Sequence, residues 1–232
     1  PLFNYLEYYK SGKFTDCELI FEDSSQPPIR AHAAILANSS TFFKNALTGN
    51  MAEAKSGKLP LFANPMNLLP KVIEFMYCGK IEYTEDQVMS LLHIANTYII
   101  PSLQERMVSY LRDTVNHDNI YLFANQCYQY ELERELSHPT DGLVPLFIKL
   151  FDKLPIKNLT KNLDVVTFTK ILDGLSPADY DVEAKIRYLD EFVGDWKCDD
   201  VDKEACVKLF DIGNSRTRNL LTAAKHTWLP PL

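Results

Sequence analysis

Histidine and cysteine are the side chains of this 232-residue sequence that could do catalytic chemistry, and both types are dispersed along it. The sequence contains no Gly-x-Ser-x-Gly nucleophile elbow, no phosphate-binding glycine loop and no His-Glu-x-x-His zinc motif. His32 and Cys17 could act as a base and a nucleophile if the fold joined them, but chance proximity is the commoner explanation of such a pair. We therefore predict no catalytic residue, and a protein that is not an enzyme.

The five cysteines are odd in number and show no Cys-x-x-Cys spacing. We expect reduced thiols, as in a cytoplasmic or nuclear protein. Asp199, Asp200, Asp202 and Glu204 could indicate a cation-binding loop, but the EF-hand spacing with its glycine is absent. A solvated helix start is the favoured interpretation, so we expect neither a metal ion nor another cofactor.

The formal net charge of −7 argues against direct binding to nucleic acid. Lysines of the C-terminal half are spread over several predicted elements, which favours a solvated surface over a nucleic-acid track; they are Lys149, Lys153, Lys157, Lys161 and Lys170. No apolar run approaches the roughly 20 residues that span a bilayer, and no signal peptide is visible, so we expect no membrane association.

The N-terminal half combines short strand patterns with helix patterns. Asp16–Phe21 and Ile29–Ala31 flank the turn residues Ser24–Pro28 and predict a β-hairpin, and Lys58–Phe62 predicts a third strand. Ala31–Glu53 predicts two short helices joined by a capping turn, in which Asn38-Ser39-Ser40 offers oxygens to the helix Thr41–Leu47. Three more helices are predicted: Pro70–Cys78, one that follows the Thr84–Gln87 capping box, and one from Pro101.

From Asp118 onward the sequence shows only helical patterns. Aspartate precedes several apolar stripes, and its side chain is a favourable N-cap. The predicted caps are Asp118 for a helix with Ile120 and Phe123, Asp164 for Val165–Leu172, Asp181 for a helix that reaches Trp196, and Asp202 for Lys203–Ile212. Two further helices are predicted at Leu143–Leu154 and Arg216–Trp228. Short helices in series with brief connectors indicate a helical bundle or stack.

Several motifs occur in one order along the N-terminal half. Asp16 lies on the opening strand, followed by the helix His32–Ala37, then Ser40–Phe43, then Gly49–Glu53, and finally Phe75–Ile81 with the sequence FMYCGKI. This ordered series resembles the BTB/POZ domain family. The resemblance implies an α+β fold for residues 1–116, with a short mixed sheet flanked by helices.

Residues 117–232 resemble, less specifically, the BACK region, an all-α extension found after many BTB domains in Kelch-like adaptors. The matching part is Phe168, Leu172 and Leu175, followed by a longer helix that ends near Trp196. We therefore expect two domains, a BTB/POZ domain at 1–116 and a BACK-like helical domain at 117–232.

The resemblance implies an adaptor of a cullin-3 ubiquitin ligase that joins an unidentified substrate protein to the cullin. In such adaptors a hydrophobic residue and a glutamate two positions later dock on cullin-3, and Met51 and Glu53 match that pattern. A flexible methionine suits a shallow pocket, although Met51 could instead fold onto its own core. The resemblance adds Tyr77 to this surface, and Phe43 and Leu47 could extend it, with core packing as the alternative for all three.

A homodimer is also expected. The apolar stripe of the helix Leu2–Lys10 needs a cover, either from its own domain or, as the resemblance implies, from a second copy. The predicted dimer residues are Leu2, Phe3, Leu6, Tyr9 and Asp16. In some transcription-repressor relatives this aspartate pairs with a basic residue after the helix histidine, but that position is Ala33 here. The alternative function is a BTB oligomerisation or transcription-regulatory scaffold without cullin binding.

Overall fold

The computed structural model describes residues 5–21, 26–48, 55–138, 140–194, 198–223 and 225–230. The chain divides into two compact units, Pro1–Asp113 and Thr114–Leu232. No described helix combines the length and the apolar character needed to cross a membrane.

A small mixed sheet lies in the N-terminal unit. Strand β1 (Cys17–Phe21) pairs antiparallel with β2 (Ile29–Ala31) and parallel with β3 (Lys58–Leu61), which gives the order β2-β1-β3. Burial alternates along β1 and β3, so one face of the sheet packs into the core. The predicted hairpin and third strand are confirmed.

The described helices of the N-terminal unit are α1 (Tyr5–Ser11), α2 (Ala33–Ser39), α3 (Thr41–Thr48), α4 (Leu69–Cys78), α5 (Val88–Thr97) and α6 (Pro101–Thr114). Helix α1 packs against α4. Short 3₁₀ turns at Pro65–Asn67 and Glu85–Gln87 lead into α4 and α5. Gly79, with a φ of 66°, ends α4 in the left-handed conformation that glycine adopts without strain.

Two predicted helix caps of this unit are present. The Ser40 Oγ accepts a hydrogen bond from the Phe43 N–H at 3.1 Å and donates one to the Tyr98 carbonyl oxygen at 2.5 Å. The Thr84–Gln87 capping box is also formed. Ser40 therefore starts α3 and also ties that helix to the end of α5.

The C-terminal unit is helical throughout its described elements. These are α7 (Ile120–Gln129), α8 (Glu133–Ser137), α9 (Val144–Leu150), α10 (Ile156–Asn162), α11 (Val165–Gly174), α12 (Val182–Val193), α13 (Asp200–Lys208) and α14 (Ser215–Ala223). Two aspartates cap helices as predicted. The Asp164 Oδ1 accepts the Thr167 N–H at 2.6 Å, and the Asp181 Oδ1 accepts the Ala184 N–H at 2.8 Å.

Two other predicted caps are wrong. Helix α7 begins after Asn119, and Asp118 instead donates its N–H to the Asn116 Oδ1 at 2.8 Å, because asparagine side chains organise this turn. Helix α13 begins at Asp200, so Asp202 lies inside its first turn. The Asp199 Oδ1 caps that helix by accepting the Asp202 N–H at 2.8 Å.

Helix lengths in the C-terminal unit also differ from the predicted ones. The last helix, α14, ends at Ala223, five residues before the predicted end at Trp228. Helix α12 ends at Val193, before Trp196, and Trp196 lies outside the described residues. The sequence patterns also missed the short helices α8 and α10.

Replacing Phe43 with alanine tests the core of the N-terminal unit. Phe43 is fully buried and its ring stacks on the Tyr98 ring with centroids 5.7 Å apart. We expect Phe43→Ala to lower the free energy of unfolding by about 3–5 kcal/mol, through lost burial and the cavity left behind. Denaturant unfolding measures the difference.

The matched control is Phe62→Ala, the same change at a side chain that is 60% exposed. We expect this control to change the free energy of unfolding by only about 0.5 kcal/mol. Equal losses for the two variants would contradict the assignment of Phe43 to the core.

Candidate protein-interaction surfaces

Four of the residues predicted to bind partners cannot be placed. Met51 and Glu53 of the predicted cullin site, and Leu2 and Phe3 of the predicted dimer interface, lie outside the described residues. Helix α3 ends at Thr48, one residue before the stretch 49–54 that carries Met51 and Glu53.

Phe43 and Leu47 lie one helical turn apart on α3. The Phe43 side chain is fully buried, which corrects its assignment to a docking surface: it fills the core beside Tyr98. Leu47 is half-buried, so part of its side chain is open to contact.

An exposed apolar surface lies around Phe42, the residue that precedes Phe43 on α3. The Phe42 and Phe62 ring centroids are 6.4 Å apart, and both rings contact Tyr98, at 5.2 Å and 6.0 Å. Ile99 is 48% exposed, and its carbonyl oxygen accepts the Thr41 N–H at 3.3 Å, which places it at the start of α3. We call Phe42, Phe62 and Ile99 the Phe62 patch.

The sequence carried a signal for the Phe62 patch that our prediction missed. Leu59 and Leu61 point into the core from β3, so strict alternation directs the next residue, Phe62, to the outside. A phenylalanine at an outward strand position is an exposed aromatic side chain, and such side chains often mark interfaces.

Tyr77 is held by hydrogen bonds within its own domain. Its hydroxyl oxygen accepts the His32 N–H at 2.8 Å and lies 2.8 Å from the His32 Nδ1. The His32 Nε2 lies 2.9 Å from the Lys13 carbonyl oxygen, which can only accept, so Nε2 carries a proton. In the tautomer that carries its only ring proton on Nε2, the His32 Nδ1 accepts the Tyr77 hydroxyl proton.

Burial adds to this structural role of Tyr77. Desolvation is the main cause that raises the pKa of the Tyr77 hydroxyl well above its usual value of 10.0, so the hydroxyl stays protonated near neutral pH. Its ring also stacks on the Tyr9 ring with centroids 4.7 Å apart. Tyr77 therefore joins α4 to α1 and to the start of α2, and only its half-exposed ring is left for a partner.

The Cys17 and His32 side chains lack the features of a catalytic pair. Burial, and secondly the charge of Asp16, raise the pKa of the Cys17 thiol to about 12. A thiol of that pKa is almost wholly protonated at neutral pH and is a poor nucleophile. Both ring nitrogens of His32 are already within hydrogen-bonding distance of Tyr77 and Lys13.

Asp16 caps the helix after the hairpin. Its Oδ1 accepts the Ala33 N–H at 2.7 Å, so the carboxylate serves a backbone donor at the first residue of α2. The contact that this aspartate makes therefore does not depend on the side chain at position 33.

Helix α1 exposes two tyrosines that lie outside the predicted stripe. Leu6 and Tyr9 are half-buried on the side that packs against α4. Tyr5 and Tyr8 are exposed on α1, and the Tyr8 ring meets the ring of Phe14, which is 79% exposed, edge-on at 5.6 Å. We call Tyr5, Tyr8 and Phe14 the Phe14 patch.

Within the described ranges, no three His, Cys, Asp or Glu side chains are grouped so that they could hold a metal ion. The five cysteines are free thiols, and Cys78 is the exposed one.

The BTB/POZ domain family model matches residues 5–115, which include the sheet, the Phe62 and Phe14 patches, Tyr77 and His32. Residues 5–115 form a BTB/POZ domain. A helical region follows this BTB/POZ domain in the chain.

Curated relatives extend the comparison. Kelch-like protein 7 of Gallus gallus is 34% identical over 91 residues, which cover 39% of this chain and 16% of that protein. Kelch-like protein 11 of Mus musculus is 24% identical over 185 residues, covering 77% of this chain and 25% of that protein. BTB/POZ domain-containing protein 9 of Drosophila melanogaster is 30% identical over 124 residues, which cover 52% of this chain and 17% of that protein. The chain thus spans a quarter or less of these relatives.

The alignment with Kelch-like protein 11 is longer than the BTB/POZ match, so it also includes part of the helical region. Among solved structures, the BTB domain of zebrafish PATZ1 matches with a TM-score of 0.41 and 20% identity, over 48% of this chain and 87% of that one. A likeness of that size carries no further argument.

Replacing Tyr77 with phenylalanine tests its role inside the BTB/POZ domain. The change keeps the ring and removes the oxygen that accepts the His32 N–H. We expect the free energy of unfolding to fall by about 1 kcal/mol, because a partly buried donor loses its partner. Tyr83→Phe is the control, since the Tyr83 hydroxyl has no hydrogen-bond partner among the described residues, and denaturant unfolding of both variants is the measurement. A neutral effect of Tyr77→Phe would refute the structural role.

Proposed function

We propose that this protein is an interaction adaptor of a cullin-3 ubiquitin ligase and that its BTB/POZ domain binds the cullin. The observation that supports the proposal most is the Phe62 patch, an exposed apolar surface to which α3, the helix that precedes Met51 and Glu53 in sequence, contributes Phe42. The Kelch-like relatives support an interaction role for the family.

The chemistry of the Phe62 patch suits a protein partner. Phe62 and Ile99 expose apolar area that a partner would remove from water, at a gain of about 25 cal/mol per Å². Aromatic side chains are enriched among the residues that contribute most to binding energy. In the proposed complex Met51 supplies a flexible apolar contact, Glu53 fixes the register, and the half-buried Leu47 lies at the edge.

The helical region is proposed to be BACK-like and to set the position of the substrate protein relative to the cullin. A domain boundary near residue 116 is proposed, and the two compact units, which divide after Asp113, support it. The proposed adaptor has no chemistry of its own, and the engaged histidine and protonated thiol of the Cys17–His32 pair agree with that.

Binding to the isolated N-terminal domain of cullin-3 tests this proposal. We expect Met51→Asp, Glu53→Lys and Phe62→Asp each to weaken binding about tenfold or more, equal to about 1.4 kcal/mol, because each removes or opposes a contact at the centre of the interface. Titration calorimetry gives the affinities.

Leu122→Asp is the matched control, an equally drastic change at an exposed leucine of the helical region. Wild-type affinity in Met51→Asp, Glu53→Lys and Phe62→Asp would refute the site. An absence of binding by the wild-type chain would refute the cullin role and favour the alternative, a BTB oligomerisation or transcription-regulatory scaffold.

We also propose a homodimer in which the Phe14 patch contacts a second copy. Three aromatic side chains on and beside α1 form an exposed surface, and surfaces of this kind mark interfaces. In this proposal Leu6 and Tyr9 stabilise the interface indirectly, because they hold α1 against α4. Asp16 contributes by capping the start of α2.

Sedimentation equilibrium tests the dimer. The chain has a mass of 26.6 kDa, and we expect twice that mass for the wild type at micromolar concentration. The double variant Tyr8→Asp/Phe14→Asp should sediment as a monomer, because two charges would be buried without partners in the interface. Val201→Asp, at an exposed valine of the helical region, should remain dimeric. A wild-type monomer would overturn the proposal.

A further inference from the structure

A cavity of about 340 Å³ lies within the helical region. Pockets that bind small molecules have volumes of about 300–1,000 Å³, so this one is large enough for a small ligand. Exposed residues of its lining place it open to solvent. We call it the Phe192 cavity, and its main lining residues are Asn125, Lys161, Leu163, Asp164, Phe192 and Asp202.

The apolar part of the Phe192 cavity is held in place by the core. Leu163, Val165, Phe192 and Val193 line the cavity and are buried. The Phe192 ring stacks on the ring of Phe168, which is fully buried, with centroids 3.9 Å apart. A fixed apolar lining of this kind suits a ring or a short chain, because little order is lost when the ligand binds.

Two carboxylates line the same cavity. The Asp164 Oδ1 caps α11, and the Asp202 Oδ2 accepts the Asp199 N–H at 3.3 Å. Burial is the largest cause that raises the pKa of Asp202 above its usual value of 3.8, and the charges of Asp199 and Asp164 raise it further. The negative charge of Asp164 thus opposes the ionisation of Asp202.

These two negative charges are not paired within the protein. Among the residues that the structure describes, no lysine, arginine or histidine lies within ion-pair distance of Asp164 or Asp202. Lys161 also lines the cavity, but it is exposed, and its charge is not among the causes that act on the pKa of Asp202. A cationic ligand would relieve the repulsion between the two carboxylates.

We propose that the Phe192 cavity binds a small organic cation in which a protonated amine is joined to an apolar ring. The ring packs on the apolar lining around Phe192, and the ammonium group donates charge-assisted hydrogen bonds to Asp164 and Asp202. The volume suits a small molecule, and the charge of the two carboxylates selects a cation. The proposal does not depend on the cullin role.

Nuclear magnetic resonance titration of the full chain with 2-phenylethylamine, which is protonated at neutral pH, tests the proposal. We expect a Kd of about 1 mM or lower, with shifts at the backbone amides of Leu163 and Val193. The neutral analogue 2-phenylethanol has the same ring and lacks the charge. We expect it to bind about tenfold more weakly, because hydrogen bonds to charged groups are the stronger ones.

Variants of the two carboxylates locate the site. We expect Asp164→Asn and Asp202→Asn each to weaken binding of 2-phenylethylamine about fivefold, because the charge is lost. Asparagine caps helices as well as aspartate, so α11 is preserved in Asp164→Asn, and circular dichroism checks the fold. Asp181→Asn is the matched control, the same change at the cap of α12, outside the cavity lining.

Three results would overturn the proposal. The first is an absence of binding by the wild-type chain, and the second is equal affinity for 2-phenylethylamine and 2-phenylethanol. The third is wild-type affinity in both Asp164→Asn and Asp202→Asn. A loss of affinity in Asp181→Asn equal to theirs would also refute the site, because the effect would then follow the net charge of the chain.

Discussion

The BTB/POZ domain depends on one fully buried residue, Tyr98, to which two separate segments are attached. Its carbonyl oxygen accepts the Ser40 hydroxyl at the start of α3, and its hydroxyl accepts the Ala63 N–H just after β3, at 2.9 Å. In a buried setting, a polar group that loses its partner costs about 1–3 kcal/mol. These two hydrogen bonds therefore hold the segments together and also fix the positions at which they meet.

The position of the Phe62 patch follows from the attachments of Tyr98. Phe43 stacks on the inner side of the Tyr98 ring system, while Phe42 and Phe62 contact the same ring and keep an exposed edge. The side chains of an exposed aromatic surface normally lose conformational entropy when a partner binds. Here contact with the buried Tyr98 ring already restricts the Phe42 and Phe62 side chains. A surface ordered in advance binds with a smaller entropic cost.

The strands and most caps of this protein could be predicted because they follow from neighbours in sequence. Alternation along β1 and β3 gives their buried faces, and Ser40, Asp164 and Asp181 accept N–H groups three residues away. The burial of Phe43 could not be predicted in this way. Phe42 and Phe43 are adjacent on a short helix and both contact the distant Tyr98, so their burial depends on residues far away in sequence.

The aspartates of the helical region also differ in how far their roles could be predicted from neighbouring residues. Asp164, Asp181 and Asp199 lie at helix starts, where free N–H groups await an acceptor, and their roles follow from local spacing. Asp190 lies in the last turn of α12, where the free backbone groups are carbonyls and the helix dipole disfavours a negative charge. The protein donors that its side chain meets lie 36 and 38 residues away in sequence. Asp190 therefore joins two segments that are distant in sequence, whereas the other three aspartates mark helix starts.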